Sequence, residues 1–331
     1  MPDVWTHLIC GQEVLASAED RFKKMAHSKK RLFAFGCQGP DFLFYYNFHP
    51  WAGDRRAVIL GNRIHHDKCG VYFRESLKYA KKNPDSVTVV YLMALMCHWC
   101  LDRVTHPFIN YISGIYRGER FGERRLINNH KRVEAAIDAL LAKRMLNVDV
   151  RRVPLHPQIH MGDMLPREIV YYYHYILPLV HGEMYEMLKG TDFLNKSYRD
   201  MISALKVLHD PRGVKRAIAS IYDFVSLETK NLRYYFYSTP GKGDAFLNEE
   251  KRPWCHPMDS SERYTDSFID LFHRGVSDSI EMIKLSMRYI YGECDEEEMN
   301  EKIMDISHST GKPDYDFRPM RHFGPVLEGE D

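Results

Sequence analysis

Between Val87 and Cys97 every residue but Thr88 is apolar, and the run is bracketed by Asn83-Pro84 before it and Pro107 after it. Asn83 suits an N-cap, Pro84 the first helical position, and Pro107 makes His106 a boundary residue, so the segment predicts a helix over 84–105. A helix that is apolar all round must be covered on every side. At this length it reads as a central core helix and not as a membrane span, which needs about 20 apolar residues. The rest of the chain must therefore wrap around it.

What surrounds it is also helical. Few segments alternate with period two, and most run for more than a dozen residues with apolar positions three and four apart, which predicts an all-α, multi-helix bundle. Helices are expected near 10–26, 57–82, 84–105, 126–145, 164–189, 192–208, 212–237 and 262–290. Gly36 to Trp51 and Val150 to Pro166 read as loops from their glycines, asparagine and prolines. With no Gly/Ser-rich or Pro-rich linker in 331 residues, one domain over 1–291 is expected, followed by a polar tail over 292–331 that wraps the surface or is partly mobile.

Composition narrows the function classes. The charge balance, 46 basic against 45 acidic residues, gives no uniform basic field, so duplex nucleic acid is not an expected partner. Seven scattered cysteines do not form a secreted disulfide framework, and Cys97 with Cys100 lies in the apolar run, without a second CxxC to complete a zinc site. The start MPDVWTHLIC lacks the pattern of a signal peptide, no transmembrane segment is expected, and a cytoplasmic location follows as an expectation. The 17 histidines invite a search for metal-ligand spacing.

His98, Asp102 and His106 interrupt the apolar cylinder at four-residue spacing, which puts successive members about 40° apart on one stripe. An imidazole and a carboxylate on a core helix either satisfy each other as a structural pair or hold a divalent metal. His130 and Glu134 repeat the spacing on a second helix, with Asp138 one turn further on; alone, such a pair is most often solvated on a helix surface. His65 and His66 stand side by side, and periodicity does not choose between them. Asp41 follows a Gly-Pro turn, as a turn former or a fixed ligand, and His7 stands near Trp5. Imidazoles and carboxylates without thiolate suit a cluster of Zn²⁺, with carboxylates able to bridge metals.

The order and spacing resemble the zinc-dependent phospholipase C family, whose all-helical fold is shared with the single-strand-specific zinc nucleases. The matching pieces are Thr6-His7, Gly39-Pro40-Asp41, the His65-His66 pair, Cys97 to Ile109 and His130 to Asp138, with Trp254 to Pro257 as a further echo. The resemblance implies two or three zinc ions. Asp41, His65, His98 and Asp102 would hold the first, with His66 as substitute for His65. His106, His130 and Glu134 would hold the second, and His7 with a bridging Asp102 the third. In the family an N-terminal tryptophan also binds the third zinc; here the chain begins Met1-Pro2, and loss of Met1 would let the Pro2 amine and carbonyl take that place.

The reaction so implied is phosphoester hydrolysis by a hydroxide held between two zincs roughly 3.5 to 4 Å apart, with Asp41 orienting or deprotonating the attacking water. Phospholipid is the substrate the family points to. Two other readings compete: an HD-type metal phosphohydrolase built on His66 and Asp67, and a metal-binding scaffold without turnover. The ExxH pairs of di-iron bundles and the HExxH of zinc peptidases are absent. Nothing in the sequence fixes the oligomeric state.

Overall fold

The fold comes from a computed structural model and is described for residues 4–48, 52–114, 128–225, 231–238 and 244–324. In chain order it consists of α1 (Val4–Ser17), α2 (Asp20–Ser28), α3 (Lys30–Gly36), a 3₁₀ helix (Gly39–Tyr45), α4 (Arg56–His66), α5 (Cys69–Lys82) and α6 (Ser86–Ser113). Then follow α7 (Asn129–Leu146), α8 (His156–Ile159), α9 (Arg167–Glu186), α10 (Phe193–Leu208), α11 (Val214–Val225) and α12 (Asp244–Leu247). A two-stranded antiparallel ribbon, β1 (Trp254–His256) and β2 (Asp259–Tyr264), precedes α13 (Phe268–Ile290) and α14 (Glu296–Lys302). The class is all-α, as the patterning predicts.

α6 is the axis of the molecule. Every residue from Thr88 to Asp102 is buried, and α13, α3, α1, α7, α9 and α5 all pack against it. By length and composition it could cross a membrane, yet 83% of its most apolar window is buried inside the protein, as a core helix is. Its start lies two residues later than expected because Asp85, not Asn83, caps it: one Asp85 carboxylate oxygen accepts from Val87 N and Thr88 N, both at 2.9 Å. Its end lies well past Pro107, which sits inside the helix. A proline there removes the bond to the carbonyl four residues back, that of Arg103. The backbone of Gly311, at φ +63°, lies against this carbonyl, so closely that any side chain at 311 would collide with it.

The expected helix over 57–82 is broken at Asp67-Lys68, where Lys68 takes a left-handed conformation at φ +56°. Tertiary contacts explain the break. The first-turn amides of α5 find no cap nearby; Cys69 N donates to Asp314 at 2.8 Å and Val71 N to Asp305 at 2.7 Å, both from the far end of the chain. The segment 10–26 likewise divides into α1 and α2 around Ala18-Glu19. Near residue 262, β2 and its pairing with β1 replace the expected helix, and α13 starts at a capping box of Ser267 and Asp270. Of the described residues in the segment 212–237, 214–225 are α-helix and Leu232–Tyr235 a 3₁₀ turn; residues 226–230 lie outside those described.

The tail is more than a surface wrap. Met299, Ile303, Ser307 and His308 are buried, and Ile306 bridges Pro313 across a tight loop. Trp99 Nε1, on α6, donates to the Ile306 carbonyl at 2.8 Å, and Asn110 Nδ2 to that of Ser309 at 2.8 Å. The chain from 303 to 314 is thereby laced to α4, α5 and α6.

Candidate metal centre

The expected donors are carried by α1, the 3₁₀ helix, α4, α6 and α7. α6 supplies His98, Asp102 and His106 on successive turns of one buried face, and α7 brings His130 and Glu134 on the face that packs against α6. His65 stands in the last turn of α4, where its Nδ1 meets the Gly61 carbonyl at 2.7 Å and its Nε2 points to Asp41 Oδ1 at 3.0 Å. His66 turns the other way. It is exposed, with Nδ1 on the Asn62 carbonyl at 2.8 Å, and Asp67 pairs with Arg63. Of the two, His65 is the one that faces Asp41 and His98, and the His66-Asp67 dyad lies outside the groups of described residues that could hold an ion.

Asp41 is in the first turn of the 3₁₀ helix, after Gly39 at φ +60°. At Gly39 two demands coincide, a left-handed backbone and a close approach to the His98 ring, into which any Cβ would run. Gly39→Ala is therefore expected to displace the imidazole of His98 and weaken metal binding by about tenfold or more, the scale on which loss of a ligand's support acts. Competition with a chromogenic chelator measures this; an unchanged midpoint would show that His98 is not a ligand.

The eight donors expected from the sequence converge. His98 Nε2 lies 3.5 Å from Asp41 Oδ1, 3.5 Å from His65 Nε2 and 3.1 Å from Asp102 Oδ2. His7 Nε2 approaches Asp102 Oδ1 at 3.3 Å, and the His7 ring stacks on His98 at 4.2 Å. His106 reaches Asp102 Oδ1 at 3.6 Å on one side and Glu134 Oε1 at 3.9 Å on the other, and His130 meets Glu134 at 2.9 Å. Three sets have ligand atoms within 4.8 Å of one another: His65, His98, Asp102 and His308; His7, Asp41 and His98; and His106, His130 and Glu134. The Pro2 amine proposed for the third position lies outside the described residues.

His308 belongs to none of the expected ligand sets. It is 1% exposed and comes from the tail, and its donor atom falls in one group with those of His65, His98 and Asp102. A lone histidine in a polar stretch has no periodic partner to mark it; only the unusual number of histidines hinted at more ligands than the helical motifs use.

The electrostatics ask for a cation. Burial pushes the Asp102 carboxyl up, yet His98, His106 and His7 together outweigh it and hold the group well below the ordinary carboxylate range, so it is ionised. Burial holds His106 and His308 well below the usual imidazole range, which keeps them neutral with a lone pair to offer. Neither oxygen of Asp102 makes a hydrogen bond, neither do the ring nitrogens of His7 and His308, and no Lys or Arg pairs with Asp102 among the described residues. A buried carboxylate faced by imidazoles and met by no described Lys or Arg is costly as it stands and fits a divalent metal.

Asp138 acts at one remove. From α7 it accepts Trp5 N at 2.9 Å, Thr6 N at 2.8 Å, Thr6 Oγ1 at 2.6 Å and the Tyr237 hydroxyl at 2.8 Å. It thus caps the first turn of α1 across the fold and fixes the helix that carries His7.

A family model described as zinc-dependent phospholipase C matches residues 6–210, more than half of the chain. No curated protein and no solved structure matches it.

Proposed function

Because the chain belongs to the zinc-dependent phospholipase C family, we propose that it hydrolyses phosphoesters at a zinc cluster held by His7, Asp41, His65, His98, Asp102, His106, His130 and Glu134, with phospholipid as its substrate class. The observation that carries this reading is Asp102, an ionised carboxylate with no exposure, surrounded by imidazole nitrogens and met by no basic side chain among the described residues. Zinc supplies a water of pKa about 7 and draws charge from a phosphoryl oxygen. The remaining work falls to the protein.

Asp41 is our candidate to orient the attacking water and take its proton. Its side chain is 11% exposed where most of the donors around it are 5% or less, and His65 and His98 flank its Oδ1. No described residue bonds its Oδ2, which leaves that oxygen available to accept the proton. The His130 side chain, 37% exposed, marks the side from which a phosphoryl group reaches the centre. The sealed wall of α6 keeps bulk water from the opposite side.

Phospholipid, and not a small soluble ester, is supported by α11. Ile218, Ile221, Tyr222, Phe224 and Val225 lie exposed along it, from 47% to 88%, and Lys215 and Arg216 stand beside them. An apolar face with basic neighbours has the composition of a helix that lies in a lipid interface.

Protein purified without chelator should contain zinc and cleave phosphatidylcholine; chelator should abolish the activity and added Zn²⁺ restore it. Single-stranded DNA and a chromogenic diester complete the panel. Turnover of DNA alone would replace phospholipid with nucleic acid as substrate, and a zinc-loaded protein inert towards all three would make it a scaffold.

A further inference from the structure

We infer that His308, carried in by the tail, is a protein ligand of the first metal together with His65, His98 and Asp102. The inference rests on the zinc reading above but adds a donor from beyond residue 210, where the family match ends.

Three independent features point to it. First, the His308 ring is aimed at the centre: its Nδ1 is 3.8 Å from Asp102 Oδ2, its ring centroid is 4.6 Å from that of His65, and its donor atom falls within the same 4.8 Å group as those of His65, His98 and Asp102. Second, the ring is buried to 1% exposure, and neither nitrogen makes a hydrogen bond to a described residue, the 3.8 Å approach to Asp102 being too long for one. A histidine kept for structure would spend at least one nitrogen on a carbonyl or hydroxyl, as His256 does on the Thr310 carbonyl at 2.9 Å. Third, the backbone around it is fixed to the ligand helices. His308 N donates to the carbonyl of His65 itself at 3.0 Å, and Ser307 Oγ donates to the same carbonyl at 3.2 Å.

Gly311 and Pro107 explain how the strap fits so closely. The carbonyl of Arg103, released from its helical bond by Pro107, lies on the surface of α6 directly beneath Gly311. Glycine there lets the chain lie flat on the helix and returns it through the turn closed by Gly311 N to the Ser307 carbonyl at 3.0 Å. That turn aims residue 308 inward. With His308 the first metal is offered four imidazole and carboxylate donors of the kind zinc takes.

The test compares full-length wild type with His308→Ala and His308→Gln, measuring zinc content after desalting, chelator competition and the visible spectrum of the Co²⁺-substituted protein. Both variants should bind one ion at least tenfold more weakly than wild type and lose part of the Co²⁺ absorption, while the remaining zinc is retained. Equal stoichiometry, midpoint and spectrum in wild type and both variants would overturn the assignment. Hydrogen exchange on wild type guards against variants that fail to fold: adding Zn²⁺ to the metal-free protein should slow exchange in peptides covering 303–314, and unchanged exchange there rejects the ligand. A wild type that binds no zinc at all would instead sink the metal reading itself.

Discussion

Asp102→Asn is expected to strip the protein of at least one zinc equivalent and of its phosphoesterase activity while leaving the metal-free fold intact. The carboxamide keeps the volume of the side chain, so packing around α6 should not change. What changes is charge and donor type. Asp102 stands between His98 at 3.1 Å, His7 at 3.3 Å, His106 at 3.6 Å and His308 at 3.8 Å, and so meets a member of each of the three donor groups. Asparagine brings no negative charge to offset a cation and replaces one ligating oxygen with an NH₂ that cannot bind metal. Affinity should fall by more than about 100-fold, beyond what disturbing an outer-shell partner causes. A purely structural His98-Asp102 pair predicts the reverse: zinc content unchanged and the chelated protein destabilised. Metal analysis and denaturation of the chelated forms, run side by side, separate the two.

The donors that the sequence exposed are those whose partners lie one turn away on the same helix. His98, Asp102 and His106 share a stripe of α6, and His130 and Glu134 a stripe of α7, because spacing of four residues is itself geometry. Where the deciding contact is distant in sequence, local reading failed for a physical reason. Pro107 reads as a terminator, yet the helix runs on because its interruption faces the Gly311 strap and not another turn. Residues 57–82 read as one helix, yet Asp305 and Asp314 pair with the amides that a break exposes, and so stabilise the break. His308 had no periodicity to reveal it at all. Its place depends on hydrogen bonds to the backbone of His65, which no side-chain pattern encodes.

Asp138→Ala is expected to cost about 3 to 5 kcal/mol of stability, since it leaves two buried backbone amides unpaired at about 1 to 3 kcal/mol each. The carboxylate has no exposure and receives two backbone amides and two hydroxyls; alanine leaves the amides of Trp5 and Thr6 buried without it. Those amides belong to the first turn of α1, where a negative charge also meets the positive end of the helix dipole. The loss should reach the metal centre, because His7 follows Thr6 directly and its approach to Asp102 depends on how α1 is seated. Thr6→Ala removes only the hydroxyl bond and should cost about 1 kcal/mol, with zinc content unchanged. In urea the midpoint should fall strongly for Asp138→Ala and slightly for Thr6→Ala, at similar slope. With zinc present, Asp138→Ala should also bind the His7-dependent ion more weakly than wild type. A midpoint within experimental error of wild type would mean that α1 is held by its apolar face alone, and that Asp138 does not position His7.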